Sequence, residues 1–286
     1  MVRIPTTSAH SQRTANPEGR MPLMDHIREL RNRIVKAAIA GVLGMVVGLV
    51  FFDPIYRFIT DPYCRAISGC NIHEIGKTLI ISGPLDAFYL RIKVAFMVGL
   101  IISSPIWLYQ LWAFIAPGLY SREKKWAYLF TGTAVPLFVG GAVLAYFVMS
   151  NGLKYLLGLS PTGVAVLPSF DTYLGYFTGM VIGFGLAFEL PLVLIMLNMA
   201  GILTHERFRK WRKMLIFVTF IISGMVNPSP DPWTMLLLGG ITVVLVELAE
   251  VFVFFNDKRR ARLHPEMYAN LSDDETSSID EPTSVD

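Results

Sequence analysis

The chain has 286 residues, 53% of them hydrophobic and 16% charged, with a formal net charge of +3 and a mean hydropathy of +0.50. This balance excludes a purely water-soluble domain, because the apolar residues gather into six long runs. It also comes without enzyme signatures: no phosphate-binding loop, HExxH, GxSxG or CxxC is present, and Gly183-Phe-Gly185 lacks a third glycine.

The runs lie near 34–52, 94–116, 126–149, 173–203, 214–226 and 233–255. All but the fifth reach about 19 residues or more, enough at about 1.5 Å per residue to cross a hydrocarbon core of about 30 Å. In lipid each backbone N–H and C=O must be satisfied within its own segment, so the runs predict helices. The alternating ten-residue strands of a barrel are absent. The expected fold is an all-α membrane protein with six transmembrane helices.

Residues 1–20 lack an apolar stretch and are expected to form a disordered tail. Leu23, Ile27, Leu30 and Ile34 then make one helical stripe, predicting an amphipathic helix at the membrane surface that leads into the first run. Glu29 stands four residues before Arg33, the spacing of a modest helical ion pair. Gly44 and Gly48 allow close helix approach, either within the chain or between copies.

The first connection outside the membrane holds both cysteines, Cys64 and Cys70, either bonded to each other or as two thiols. Arg91 and Lys93 head the second run, with stems buried and charges in water. Glu123 follows in the basic loop Ser-Arg-Glu-Lys-Lys. In the fourth run Gly175, Gly179 and Gly183 recur every fourth residue. Glu189, in Phe-Glu-Leu-Pro, is the anomaly, since a carboxylate at that depth costs several kcal/mol unless paired, hydrated or protonated. Gly185 is expected to leave a gap before it, and Pro191 to kink the helix. The residue reads either as a structural carboxyl or as a site for a polar partner.

The fifth run, Met214–Val226, is short, which predicts snorkelling flanks or a locally thinned bilayer. Glu247 and Glu250, late in the sixth run, are expected at the inner interface. Residues 257–286 form a polar, acidic tail. Basic residues cluster before the first run, at 122–125, at 207–213 and after the last run, so both termini are predicted to be cytoplasmic. The rival reading is a proton-coupled transporter of a small solute using Glu189. Against it, the two halves show no inverted repeat.

Taken in order, Asp-His-Ile-Arg-Glu-Leu-Arg-Asn-Arg (25–33), Ser-Pro-Ile-Trp-Leu-Tyr-Gln-Leu-Trp-Ala-Phe-Ile-Ala-Pro-Gly-Leu-Tyr (104–120), Glu123, Phe-Glu-Leu-Pro (188–191) and Asn-Pro-Ser-Pro-Asp (227–231) resemble the TatC family. Pro62 also fits. This family is the multi-span core of the twin-arginine protein translocase, and the resemblance covers residues 21 to about 255. It implies a concave bundle with short helices 5 and 6, in a bacterial plasma membrane, driven by the proton-motive force. It implies no enzyme activity, cofactor, metal or nucleic acid. The implied partners are twin-arginine signal peptides of folded cargo, single-span TatA- and TatB-type subunits, membrane lipid and further copies of the chain.

By resemblance Glu29 and Glu123 would hold the two guanidiniums, with Arg31, Phe114 and Pro117 shaping the same surface. Glu189 would meet a partner helix, and Asp231 would lie at the external end of the last hairpin. Four residues after Asp231 the family often has glutamine, where this chain has Met235. Two arginines suit two carboxylates, because each planar fork can be met bidentately by one. Lysine has no fork and should bind less well.

Overall fold

A computed structural model describes residues 23–67, 79–81, 83–115, 124–161, 168–229 and 231–263. Among these, nine helices follow in order: α1 (Leu23–Val50), α2 (Phe52–Ala66), α3 (Pro84–Ile102), α4 (Ser104–Ile115), α5 (Lys124–Gly158), α6 (Phe170–Ala187), α7 (Leu190–Met199), α8 (His205–Val226) and α9 (Pro232–Leu263). One isolated parallel bridge joins Ile80 to Ser169. The all-helical expectation holds.

Among the described residues, four stretches are long and apolar enough to cross a membrane: Ile27–Val50, Tyr128–Gly158, Phe170–Met199 and Pro232–Arg262. The second and fifth runs fall short for identifiable reasons. The second is interrupted at Ser103 between α3 and α4, where Pro105 has no N–H to offer the preceding turn. Trp107 reaches back there, its indole N–H donating to the Leu100 carbonyl at 2.9 Å. α3 also carries Asp86, Arg91 and Lys93.

The fifth run belongs to a 22-residue helix, since its basic flank stays helical from His205. The apolar part, Met214 to Val226, covers only about 20 Å of that helix. α9 has 32 residues and continues past 256 to Leu263, so neither of the last two helices is short. Only the apolar part of α8 is.

The expected first external loop begins as helix α2. Its signal was present: Asp53, Arg57, Asp61 and Arg65 recur every fourth residue, opposite Ile55, Ile59 and Tyr63. Pro62 sits inside this helix and cannot donate to the Phe58 carbonyl. The Tyr146 hydroxyl lies within 3.3 Å of that carbonyl and donates to Asp61 at 2.9 Å.

The chain divides into two compact units, Met1–Tyr56 with Gly83–Val135, and Arg57–Ser82 with Pro136–Asp286. In the first, α1 packs on α3 and α4. A Cβ on Gly44 would lie 2.8 Å from the Gly99 carbonyl oxygen, and one on Gly48 2.8 Å from Ala95 Cα. These glycines therefore serve packing within the chain. The Arg91 guanidinium lies 4.7 Å from the Phe52 ring centre.

In the second unit, α6 is the buried helix, with Tyr173, Phe177, Met180, Val181 and Phe184 in the core. α7 and α8 pack on α9. Gly183 faces the Val226 carbonyl and Gly179 faces Pro228, again an internal use of small residues; Gly175 has open space before it. The Tyr173 hydroxyl donates to the Ile59 carbonyl at 2.5 Å, fastening α2 to α6.

Candidate functional site

Two sets of expected residues fall in separate units. In the first unit, Gly44 lies beside Gly99, Gly48 beside Ala95, and Arg33 beside Gln110. These pairs keep one antiparallel register along α1 and the α3–α4 segment. One further turn along each helix sets Glu29 level with Phe114, which is half-buried near the end of α4. The register thus sets two of the expected residues, from distant parts of the chain, at one level of the helix pair.

Glu29 forms the helical pair its spacing predicts. Arg33 donates to Glu29 Oε1 from Nε at 3.0 Å and from Nη2 at 2.5 Å. The side chains are 30% and 21% exposed, so the pair is less solvated than a surface bridge. Arg33 Nη1 also donates to Gln110 Oε1 at 3.5 Å. Gln110 is the residue that sequence reasoning missed; a polar side chain amid Trp-Leu-Tyr and Leu-Trp was its signal. Arg31 is exposed and donates to Asn32. Pro117 and Glu123 lie outside the described residues.

In the second unit, Glu189 occupies the break between α6 and α7. Phe188 and Glu189 form a turn, with Pro191 starting the next helix. The residue is 7% exposed, and both carboxylate oxygens are buried without a hydrogen-bond partner. The expected gap at Gly185 is filled, because a Cβ there would stand 2.6 Å from the Phe138 ring. The helix breaks before Pro191 as expected, but Phe138 of α5 supplies an aromatic wall where the gap was expected.

Asp231 is fully buried. Its Oδ1 accepts the Thr234 N–H at 2.8 Å and its Oδ2 the Thr234 hydroxyl at 2.5 Å, with the Ser229 hydroxyl as a further partner. Asn227 joins through Thr234 at 3.0 Å. Asp231 therefore serves as the N-cap of α9. Met235 is 38% exposed, its methyl 3.0 Å from the position of a Cβ on Gly224.

At the other end of α9, Asn198 donates to the Leu203 carbonyl and to Asp257, both at 2.8 Å, and Asp257 also accepts the His205 N–H at 2.6 Å. Arg212 meets Glu247 bidentately at 3.0 and 2.5 Å. Glu247 and Glu250 thus face the basic start of α8 as well as solvent. Cys64 is not a free thiol; Cys70 lies outside the described residues. So do the tails 1–20 and 264–286. No cluster of potential metal ligands occurs among the described residues.

The sequence model of the family described as Sec-independent protein translocase protein (TatC) matches residues 25–240. A TatC of Frankia casuarinae is 42% identical over 280 residues, covering 96% of this chain and 77% of that protein. A TatC of Aquifex aeolicus is 35% identical, covering 82% and 94%. Two crystal structures of a twin arginine translocase receptor, TatC, superpose with TM-scores of 0.63 and 0.64 at 34% and 33% identity. Each covers 80% of this chain, and 99% and 98% of the respective solved chain. A shared helical fold, a family match over most of the chain and identities of 33% to 42% lead to one conclusion: this membrane protein belongs to the TatC family of Sec-independent protein translocase proteins.

Proposed function

We propose that this translocase component is the receptor for twin-arginine signal peptides at the cytoplasmic face of a bacterial plasma membrane. Glu29 and Glu123 each take one guanidinium, and Arg31, Phe114 and Pro117 form the surface around them. The chain crosses the membrane six times with both ends cytoplasmic, as the basic clusters require. Single-span TatA- and TatB-type subunits and further copies of the chain complete the apparatus that moves folded cargo, with the proton-motive force as its energy source. Glu189 meets a polar group of a partner helix, and Cys64 pairs with Cys70 outside.

The observation that carries this reading is that Glu29 already accepts a guanidinium, from Arg33, at 2.5 Å. Its carboxylate is half-exposed, anionic chemistry of the type a peptide arginine needs. Membership of a translocase family weighs against the small-solute transporter.

The test is the pair Glu29→Gln with Glu123→Gln. Binding of a twin-arginine peptide in detergent at low salt should be lost while the protein remains inserted. Unchanged binding overturns the receptor reading.

A further inference from the structure

In the free protein the Glu29 carboxylate holds an arginine of its own chain. Both Arg33 donors converge on one oxygen, Oε1, and the third contact of that guanidinium goes to Gln110 on α4. An incoming guanidinium needs both carboxylate oxygens for bidentate binding, and one is already engaged. Adding it alongside Arg33 would set two cations around one anion. Exchange is therefore the favourable route: the peptide arginine takes Glu29, and Arg33 falls back on Gln110.

We propose that Arg33 is an internal competitor for Glu29, a residue of the binding site that sets the affinity a peptide must exceed to occupy that carboxylate. This rests on the reading of Glu29 as a guanidinium acceptor. Because Arg33 is only one helical turn away, it is always present at the site, whatever the peptide concentration. Competition of this kind weakens every cationic ligand by the same factor. Ordinary basic segments, already weak through a single contact, fall to lower occupancy still, while a ligand that engages several groups remains bound. The Arg-over-Lys ratio itself comes from the fork and is left unchanged by Arg33.

The test measures binding of a twin-arginine peptide and its twin-lysine counterpart to the full chain in detergent. Arg33→Leu should tighten both by a similar factor, about two- to fivefold, the range for a part-exposed ion pair. Arg33→Lys, which keeps the charge and loses the fork, should give a smaller gain and serves if the leucine variant fails to fold. Lys36→Leu, removing an exposed charge nearby, should give less than Arg33→Leu. In a Glu29→Gln background Arg33→Leu should give no gain.

Unchanged or weaker binding by both Arg33 variants overturns the competitor and makes Arg33 a brace for Glu29. An equal gain from Lys36→Leu also overturns it, reducing the effect to net charge. Glu29→Gln alone leaving binding intact would instead remove the receptor reading on which the proposal stands.

Discussion

Gly44 of α1 and Gly99 of α3 bring two backbones into contact, a Cβ on Gly44 standing 2.8 Å from the Gly99 carbonyl oxygen. That approach sets the antiparallel register that places Arg33 beside Gln110 and Glu29 level with Phe114. A packing detail in mid-helix thereby aligns residues at the candidate site about four turns away.

Gly99→Ala should be costly. Its Cβ would meet the Gly41 carbonyl oxygen and the Met45 N, both backbone atoms at 2.7 Å, so the helices must separate. Overpacking of this kind costs about 1–3 kcal/mol. Thermal denaturation in detergent should show a lower midpoint, whereas Gly41→Ala and Gly132→Ala, in helix interiors with open space before them, should match or exceed the parent. An unaltered midpoint for Gly99→Ala would contradict the close approach.

Asp231→Ala should destabilise the last hairpin. It removes the acceptor of the Thr234 N–H and leaves the Ser229 and Thr234 hydroxyls without their shared partner in a buried setting. The expected loss is about 1–3 kcal/mol, combining a lost cap with unsatisfied polar groups. Chemical denaturation in detergent measures it, and Asp231→Asn, which keeps one acceptor oxygen, should lose less. If Asp231→Ala retains full stability and only partner binding suffers, the residue acts at an interface instead.

Glu189→Leu should leave stability equal or higher, because the carboxylate it removes is buried without a hydrogen-bond partner. An ionised acid at mid-membrane costs about 2.5–3.5 kcal/mol on insertion scales. Crosslinking to a single-span partner should weaken, while twin-arginine peptide binding should survive. Intact crosslinking together with a fall in stability would identify a structural carboxyl.

The helices of the fold were legible because their signal is local. Apolar runs, basic clusters and the kink at Glu189–Pro191 all follow from residues near one another in sequence. The α2 helix was legible too, in its fourfold charge spacing, but its place in the connection between two apolar runs made it read as loop. Gly185 misled for another reason: a missing side chain marks space, and only the fold reveals that Phe138 occupies it.

By itself the sequence determined the solvent, the helical class, the candidate carboxylates and the resemblance to one family. Hydropathy and short-range spacing suffice for these, because lipid forces each segment to satisfy its own backbone. The tertiary structure decided what the polar residues do. Asp231 became a helix cap, Gly44 and Gly99 a contact between backbones, and Arg33 a link between Glu29 and Gln110. Each depends on a partner's distance and register, quantities set by the packing of whole helices.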